Sequence, residues 1–418
     1  MKIGTYRYSL TPTNEFYLIG YGPSFESRKH PAQGVHDDIY ANVLLIEIEK
    51  QYIFIFNADF IEFEESFCNK MKTKLNEQFN INPNHVLFSA THNHQSIMSY
   101  HKTWKSGVFD PQYYDELQIS IVKSYQQCLN NLVEVEAYFN SKIIEGYYGN
   151  RNYPDQLADN EVIVVEFIDE TKKVIAGIVN WAVHSTVISP ENNLLTSELA
   201  GAVCTKLFEY KNYYPLMIVG AAGDCSNRNF RQGNDYQELK RVSEGLAKAI
   251  AQIEVNQKIN IKQLKSMRIT HRVAYNMQDQ VAEIRRRIVE AEAELKTSVN
   301  FDRIKILNST IDGLKRRLTI NEIDLELSSS IVNAGDLQII SSPAELGSAF
   351  GIKIKADSPS LCTLIFGYTN GHMHYVMPQE EYGKFFETIN SYYPKGEPEK
   401  YVGKIIEAAK RIEEGETV

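Results

Sequence analysis

Thr91-His92-Asn93-His94 follows the short apolar run His85-Val86-Leu87-Phe88-Ser89-Ala90. In extended backbone, residues two apart point to the same side, so His92 and His94 can face one pocket. Neutral imidazole is the commonest metal ligand, with one ring nitrogen binding while the other is oriented by a neighbour. A His-x-His pair does not decide the matter alone, because two surface histidines at a strand end give the same pattern. A second apolar run ends in the same way, Asn180-Trp181-Ala182-Val183-His184-Ser185-Thr186, and leads to the small-residue helix start Thr196-Ser197-Glu198-Leu199-Ala200-Gly201. Gly220-Ala221-Ala222-Gly223-Asp224-Cys225-Ser226-Asn227 is a glycine-rich turn after the run 216–219. Its glycines permit positive φ and close backbone approach, and it lacks the Gly-Lys-Ser/Thr ending of a phosphate-binding loop. A structural and a substrate-facing role are both open to it. Glu345, in Ser341-Ser342-Pro343-Ala344-Glu345, either complements a helix dipole or supplies the carboxylate that a two-histidine zinc site needs. Asn370-Gly371-His372-Met373-His374-Tyr375 offers two further imidazoles and a phenol.

The elements that must hold these residues alternate between strand and helix patterns, which predicts an α/β fold with mixed β-sheets packed with helices. Strands are expected at 43–49, 52–57, 85–90, 162–168, 174–183, 216–219, 337–340 and 361–366, and helices at 62–79, 115–132 and around 402–412. The polar, chemistry-bearing segments fall just after several of these strands, where the loops of an open α/β sheet converge on one crevice. One segment differs in kind. Ile284, Ile288, Ala291 and Leu295 keep a three-four spacing, and Ile304, Leu307, Ile311, Leu314 and Leu318 repeat it after a break at 298–300. This predicts an antiparallel helical hairpin of coiled-coil type, inserted at 276–320 and projecting from a catalytic domain formed by 1–275 and 321–418. Its charged flanks, such as Arg285-Arg286-Arg287, read as a solvated face, and the hairpin offers a surface for a homodimer.

Composition removes several function classes. The 418 residues are 43% hydrophobic and 23% charged, as in a soluble globular chain, and carry a net charge of −9 without a basic stripe. Nucleic acid is therefore not an expected partner. No apolar run reaches the roughly 20 residues of a membrane span, and Met1-Lys2-Ile3-Gly4-Thr5-Tyr6 has no apolar core of a secretory signal, so a cytoplasmic location is expected. Cys68, Cys128, Cys204, Cys225 and Cys362 are far apart and odd in number, which predicts reduced thiols rather than a disulfide framework or a zinc ribbon.

Taken together, the motifs resemble those of the neutral/alkaline non-lysosomal ceramidase family in its N-terminal catalytic domain. Ala90-Thr91-His92-Asn93-His94-Gln95 is similar to the family's Ala-Thr-His-Thr-His-Ser segment, and Asn180, Trp181, His184 and Thr186 to its Asn-Trp-x-x-His-x-Thr segment. Gly223-Asp224-Cys225-Ser226 resembles Gly-Asp-Val-Ser, Pro343-Ala344-Glu345 resembles Pro-Gly-Glu, and Asn370 to Tyr375 with Glu380-Glu381-Tyr382 resembles Asn-x-Tyr-x-x-Tyr followed by Glu-Glu-Tyr. Gly34-Val35-His36-Asp37-Asp38 and Asn150-Arg151 match as well, so the resemblance covers most of 1–230 and 335–390. It implies a single catalytic zinc held by His92, His184, Glu345 and Tyr375, with His94, Ser226, Asp224 and Arg151 as the catalytic set. His94 would shuttle protons or orient the nucleophile, and Ser226 would face the scissile amide.

Two departures bear on the pocket. The family's glycine-rich stretch after the histidine pair is replaced by Gln95-Ser96-Ile97-Met98, and a family tyrosine that helps stabilise the oxyanion falls at Phe386 or Glu387. Neither the immunoglobulin-like C-terminal domain of true ceramidases nor their secretion signal is expected here. The expectation is a zinc-dependent hydrolase acting on the amide bond of a small N-acylated substrate. Two alternatives are the same metal centre cleaving an ester, a phosphoester or a glycosidic bond, and an inactive binding protein on the same fold.

Overall fold

The computed structural model describes residues 1–21, 24–97, 100–102, 109–156 and 158–415. Two five-stranded sheets and one four-stranded sheet carry the architecture. In the first, the strands run in the order Val86–Ala90, Gln51–Ala58, Tyr40–Ile48, Lys2–Ser9, Val133–Glu134. In the second the order is Leu216–Val219, Val174–Trp181, Glu161–Ile168, Glu136–Ile143, Gln257–Ile259. The third pairs Leu264–Asn276 with Glu322–Ala334 over their full length, then adds Leu337–Ser341 and Cys362–Phe366.

The alternation of side chains along each strand explains the layering. Ile53 and Ile55 point into an apolar layer shared with Ile163, Val165, Ile178, Ile339 and Leu364, which joins the three sheets face to face. Phe54 and Phe56, one residue out of phase, point the other way into the layer covered by α1 (Glu65–Phe79) and α2 (Pro111–Asn130). Val164 and Val179 do the same beneath α3 (Glu198–Lys211) and α4 (Tyr236–Ala251). Strands with two apolar faces read as continuous hydrophobic runs, which is why they were legible. The third sheet is backed by α7 (Ser348–Asp357) and α9 (Glu397–Glu413) through Leu327, Ile354, Tyr401 and Ile405.

Each sheet contains one parallel pair: Gln51–Ala58 with Val86–Ala90, Val174–Trp181 with Leu216–Val219, and Leu337–Ser341 with Cys362–Phe366. The loops leaving the C-terminal ends of these pairs carry the two histidine segments, the glycine turn, Glu345 and the segment 370–375, while Arg151 follows the short strand Gly149–Asn150 that pairs with Cys225–Ser226. These loops interlock through a bridge between Asn93 and Ser185 and another between Ser89 and Thr369.

The helical hairpin forms with its break where expected, as α5 (Val281–Leu295) and α6 (Phe301–Arg317). Its antiparallel register shows in the contacts of Gln280 with Arg317 near the base and Glu294 with Arg303 near the tip. It does not project, however. Ala291, Leu307 and Ile311, with Leu295 packed against them, form a seam between the two helices alone, whereas Ile284, Ile288 and Leu314 pack on Ile323 and Tyr392 of the body. Arg317 donates to the Ile389 carbonyl at 2.9 Å and Arg231 pairs with Asp302, so polar contacts also tie the hairpin down beside the one-turn helix α8 (Phe386–Ile389). A seam wide enough to serve two neighbours lays the hairpin on the domain instead of freeing it. All five cysteines are buried and unpaired. Among the described residues, no helix is long and apolar enough to cross a membrane.

Candidate metal centre

His92, His94 and His184 meet at the ends of two different sheets, with one ring nitrogen of each within 4.8 Å of the others. Backbone carbonyls fix which nitrogen that is. His92 Nδ1 lies 2.9 Å from the Ile61 carbonyl, His184 Nδ1 lies 2.8 Å from that of Ala222, and His94 Nδ1 contacts that of Gly20. A carbonyl can only accept, so each Nδ1 carries the proton and each Nε2 presents a lone pair. The Nε2 atoms of His92 and His94 are 3.1 Å apart, and His184 Nε2 is buried with no hydrogen bond. Converging lone pairs with no proton between them are unfavourable unless a cation sits among them, so the residues present fit a metal ion. Burial pulls His184 down to about 3, with Arg151 adding to it. Burial and the imidazoles of His92 and His184 also hold His94 well below the usual histidine range, so both rings stay neutral at physiological pH.

Glu345 reaches the same point. Its Oε2 lies 3.5 Å from His92 Nε2 and 3.2 Å from His184 Nε2. Burial pushes this carboxyl up, but the imidazoles of His92, His184 and His372 outweigh it and hold it well below the carboxylate range. The glycine turn packs on this strand: Gly223 donates to the Leu346 carbonyl at 2.7 Å, and a Cβ there would come within 2.7 Å of the Glu345 carbonyl oxygen. Glu345 and Tyr375 are direct register partners in a two-stranded parallel ladder, which explains how segments 30 residues apart deliver a carboxylate and a phenol to one cavity. Arg151 Nη2 stands 3.5 Å from the Tyr375 hydroxyl, while its Nε binds Glu387 at 2.6 Å.

His92, His94, His184, Glu345, Tyr375 and Arg151 all line a single cavity of about 210 Å³. Asp224 and Ser226 do not. Asp224 is buried and spends its carboxylate on the Ser348 amide at 2.7 Å, the Ser348 hydroxyl at 2.8 Å and Asn150 at 2.9 Å. The Ser226 hydroxyl accepts from the Arg228 amide at 3.3 Å. Of the two positions assigned to the family tyrosine, Phe386 is on the cavity wall and Glu387 is not. In the segment that replaces the glycine-rich stretch, Gln95 accepts from Arg28 at 2.8 Å and Met98 lies outside the described residues.

Two contributors, Tyr368 and Gly20, were not expected, and His372, one of the two further imidazoles, takes a bracing role. His372 bridges Glu62 at 2.7 Å and Glu345 at 3.1 Å, so a buried carboxylate–imidazolium–carboxylate chain braces the centre. Tyr368 stacks on His92 with ring centroids 4.0 Å apart and lies 3.5 Å from Glu345 Oε2. Gly20 supplies the carbonyl under His94 at φ 114°, and a Cβ there would fall on the His94 backbone. Backbone strain gathers here as well, since His92, Tyr368 and His374 have φ of 54°, 50° and 57°.

Two expectations follow. Gly20→Ala loses about 1 kcal/mol to its positive φ and a further 1–3 kcal/mol to the overlap, with a weaker metal affinity because His94 must move; denaturant unfolding and metal titration check this. For the Glu62–His372 pair the sign differs at each end. Burial opposes both charges, yet the pairing pulls Glu62 from 4.5 to about 2 and lifts His372 from 6.5 to about 10. The Glu62 contribution is present above pH 4.5 and lost as pH falls through about 2. The His372 contribution is present below pH 6.5 and lost as pH rises through about 10. In metal-free protein, the stability gap between parent and Glu62→Gln should be widest between those inner limits and narrow on both sides.

No family model matches this sequence, and no curated protein matches it either. Solved structures do. The crystal structure of neutral ceramidase from Pseudomonas aeruginosa superposes with a TM-score of 0.76 at 16% identity, covering 100% of this chain and 75% of that one. A ceramidase complexed with C2 superposes with a TM-score of 0.72 at 15% identity, covering 100% of this chain and 76% of that one. The chain therefore has a neutral ceramidase-like fold along its whole length, which extends beyond the 1–230 and 335–390 stretches that the ordered motifs covered.

Proposed function

We propose that this protein is a zinc-dependent hydrolase that cleaves the amide bond of small N-acylated substrates. One observation carries the reading: three imidazoles, each with Nδ1 on a backbone carbonyl, turn their Nε2 atoms toward one another beside the Glu345 carboxylate in one cavity. His92, His184, Glu345 and Tyr375 would hold the ion. When bound, zinc supplies a Lewis acid for the carbonyl and brings the pKa of a water down to about 7.

The remaining steps belong to the chain. His94, neutral and pinned through Nδ1, turns its Nε2 lone pair to the edge of the centre, 3.1 Å from His92 Nε2, where it would take a proton from the nucleophile and return it to the leaving amine. Arg151, always charged and held by Glu387, places positive charge beside the Tyr375 hydroxyl where the carbonyl oxygen gains negative charge. Phe386 offers no donor, so this function falls to Arg151 and Tyr375. Asp224 and Ser226 fix the turn that carries the Ala222 carbonyl under His184, and they position the site without touching substrate. At about 210 Å³ the cavity is small and its wall carries several charges, which favours a short substrate over a long-chain lipid.

Metal analysis joined to a substrate panel tests the proposal. Zinc-supplemented protein should carry about one equivalent and release amine from short N-acyl amides. Less than about half an equivalent in well-folded protein, or no release from any amide, overturns it.

A further inference from the structure

The hairpin brings cations to the cavity that nothing in the metal centre uses. Lys305 of α6 and Arg228 of the loop after the glycine turn both line it, although the chain as a whole is acidic. Among the described residues neither side chain has a hydrogen bond or an ion pair. The Lys305 ammonium contacts only the face of Tyr21, at 4.9 Å from the ring centroid. Three of the carboxylates nearby are paired with other groups. Glu62 and Glu345 hold His372, and Asp302 holds Arg231. Asp312, two helical turns along α6 from Lys305, is the carboxylate on the wall that stays in play, with its Oδ2 buried and without a hydrogen bond.

We infer that Lys305 and Arg228 form an anion subsite beside the metal centre, and that the substrate carries a carboxylate or a phosphate within a few bonds of the scissile amide. The inference rests on the hydrolase reading for the word substrate, but the subsite itself stands on the cations alone. Tyr21 sets the scale: Lys305 lies on its ring and the His94 ring lies 5.2 Å from it, so the anion sits one aromatic ring away from the reacting centre. Two partly buried like charges on the wall of one cavity, neither hydrogen-bonded to a carboxylate, are costly, and a bound anion reduces the repulsion and meets their hydrogen bonding. Burial and the charges of Arg231 and Arg228 already draw the Lys305 ammonium down to about 7, which reports how poorly the chain alone compensates it. Because Lys305 belongs to the hairpin, the insertion becomes a specificity element of the site.

Calorimetric titration of metal-free protein separates the outcomes. The probes are N-acetylglycine, N-acetylethanolamine phosphate and the neutral N-acetylglycinamide. One of the two anions should bind about ten- to a hundredfold more tightly than the neutral probe, and which one does identifies carboxylate or phosphate. Lys305→Gln and Arg228→Gln should each cut that ratio about tenfold or more, while Lys305→Arg keeps it. Equal affinity for charged and neutral probes, no binding of either anion at millimolar concentration, or a ratio unchanged in both glutamine variants overturns the inference. The comparison of probes on the parent protein needs no variant to fold. Hydrolysis assays on zinc-supplemented protein then distinguish the two readings. Anion preference without turnover keeps the subsite and sinks the amidase, whereas turnover of the neutral amide without preference does the reverse.

Discussion

His184→Ala protein is expected to bind zinc at least a hundredfold more weakly than the parent, to lose amide hydrolysis, and still to unfold in one cooperative transition. The first expectation follows from ligand count. Outer-sphere partners alone are worth about 10–100-fold in metal affinity, so deleting a donor that points its lone pair into the centre must cost at least as much. The last follows from where His184 sits. It leaves the end of strand Val174–Trp181, whose side chains Val179 and Trp181 are fixed in the core regardless of the imidazole. Removing the ring leaves a small void and takes a donor from the Ala222 carbonyl, worth about 1–3 kcal/mol, within what a domain of this size tolerates. Parallel metal analysis and denaturant unfolding read both effects. Loss of the cooperative transition together with loss of metal would mean that the ion holds the fold together, which is the behaviour of a structural site.

Much of this site was legible because its residues follow buried strands, and buried strands announce themselves. Leu216–Val219 begins and ends where the apolar run does. The run 85–90 is shortened by one residue because Asn82 caps a single 3-10 turn, Pro83–His85, by accepting from the Asn84 amide. Helix α2 begins at Pro111, four residues before its apolar pattern, on the signal of an Asp110 cap followed by proline. The strands Leu264–Asn276 and Glu322–Ala334 went unseen, since they face solvent on alternate residues and carry Arg268, Arg272, Asp324 and Glu326. The same physics explains what the motifs missed. Glu62 sits in the loop before α1, so a helical reading from residue 62 hides that its side chain turns to His372. Lys305 stands between the seam residues Ile304 and Leu307, where a lysine reads as a solvated flank. Only the tertiary placement of the hairpin over the cavity reveals it as a wall.

Arg151→Leu should be the most destabilising single change in the site, by about 3–5 kcal/mol, because it strands a buried carboxylate. Arg151 Nε and Glu387 Oε1 are 2.6 Å apart with side chains 6% and 1% exposed, so neither charge has water to fall back on. Burial acts to lower the Arg151 pKa, but Glu387 and Tyr375 more than reverse this, and the guanidinium stays charged at every accessible pH. Without it, Glu387 keeps the Asn152 amide at 2.9 Å as its hydrogen-bond donor and must either remain ionised while buried or take up a proton. The Gly223 carbonyl also loses its 2.8 Å donor, which loosens the turn against the Glu345 strand and couples the charge pair to the metal centre. The double variant Arg151→Leu/Glu387→Leu separates pairing from burial. Removing both charges should recover a good part of the stability lost by the single variant, since well-packed apolar residues often replace a buried pair at little cost. Denaturant midpoints measure both. Activity should not return with stability, because the double variant still has no cation beside Tyr375; recovery of turnover there would mean that Arg151 serves the fold alone.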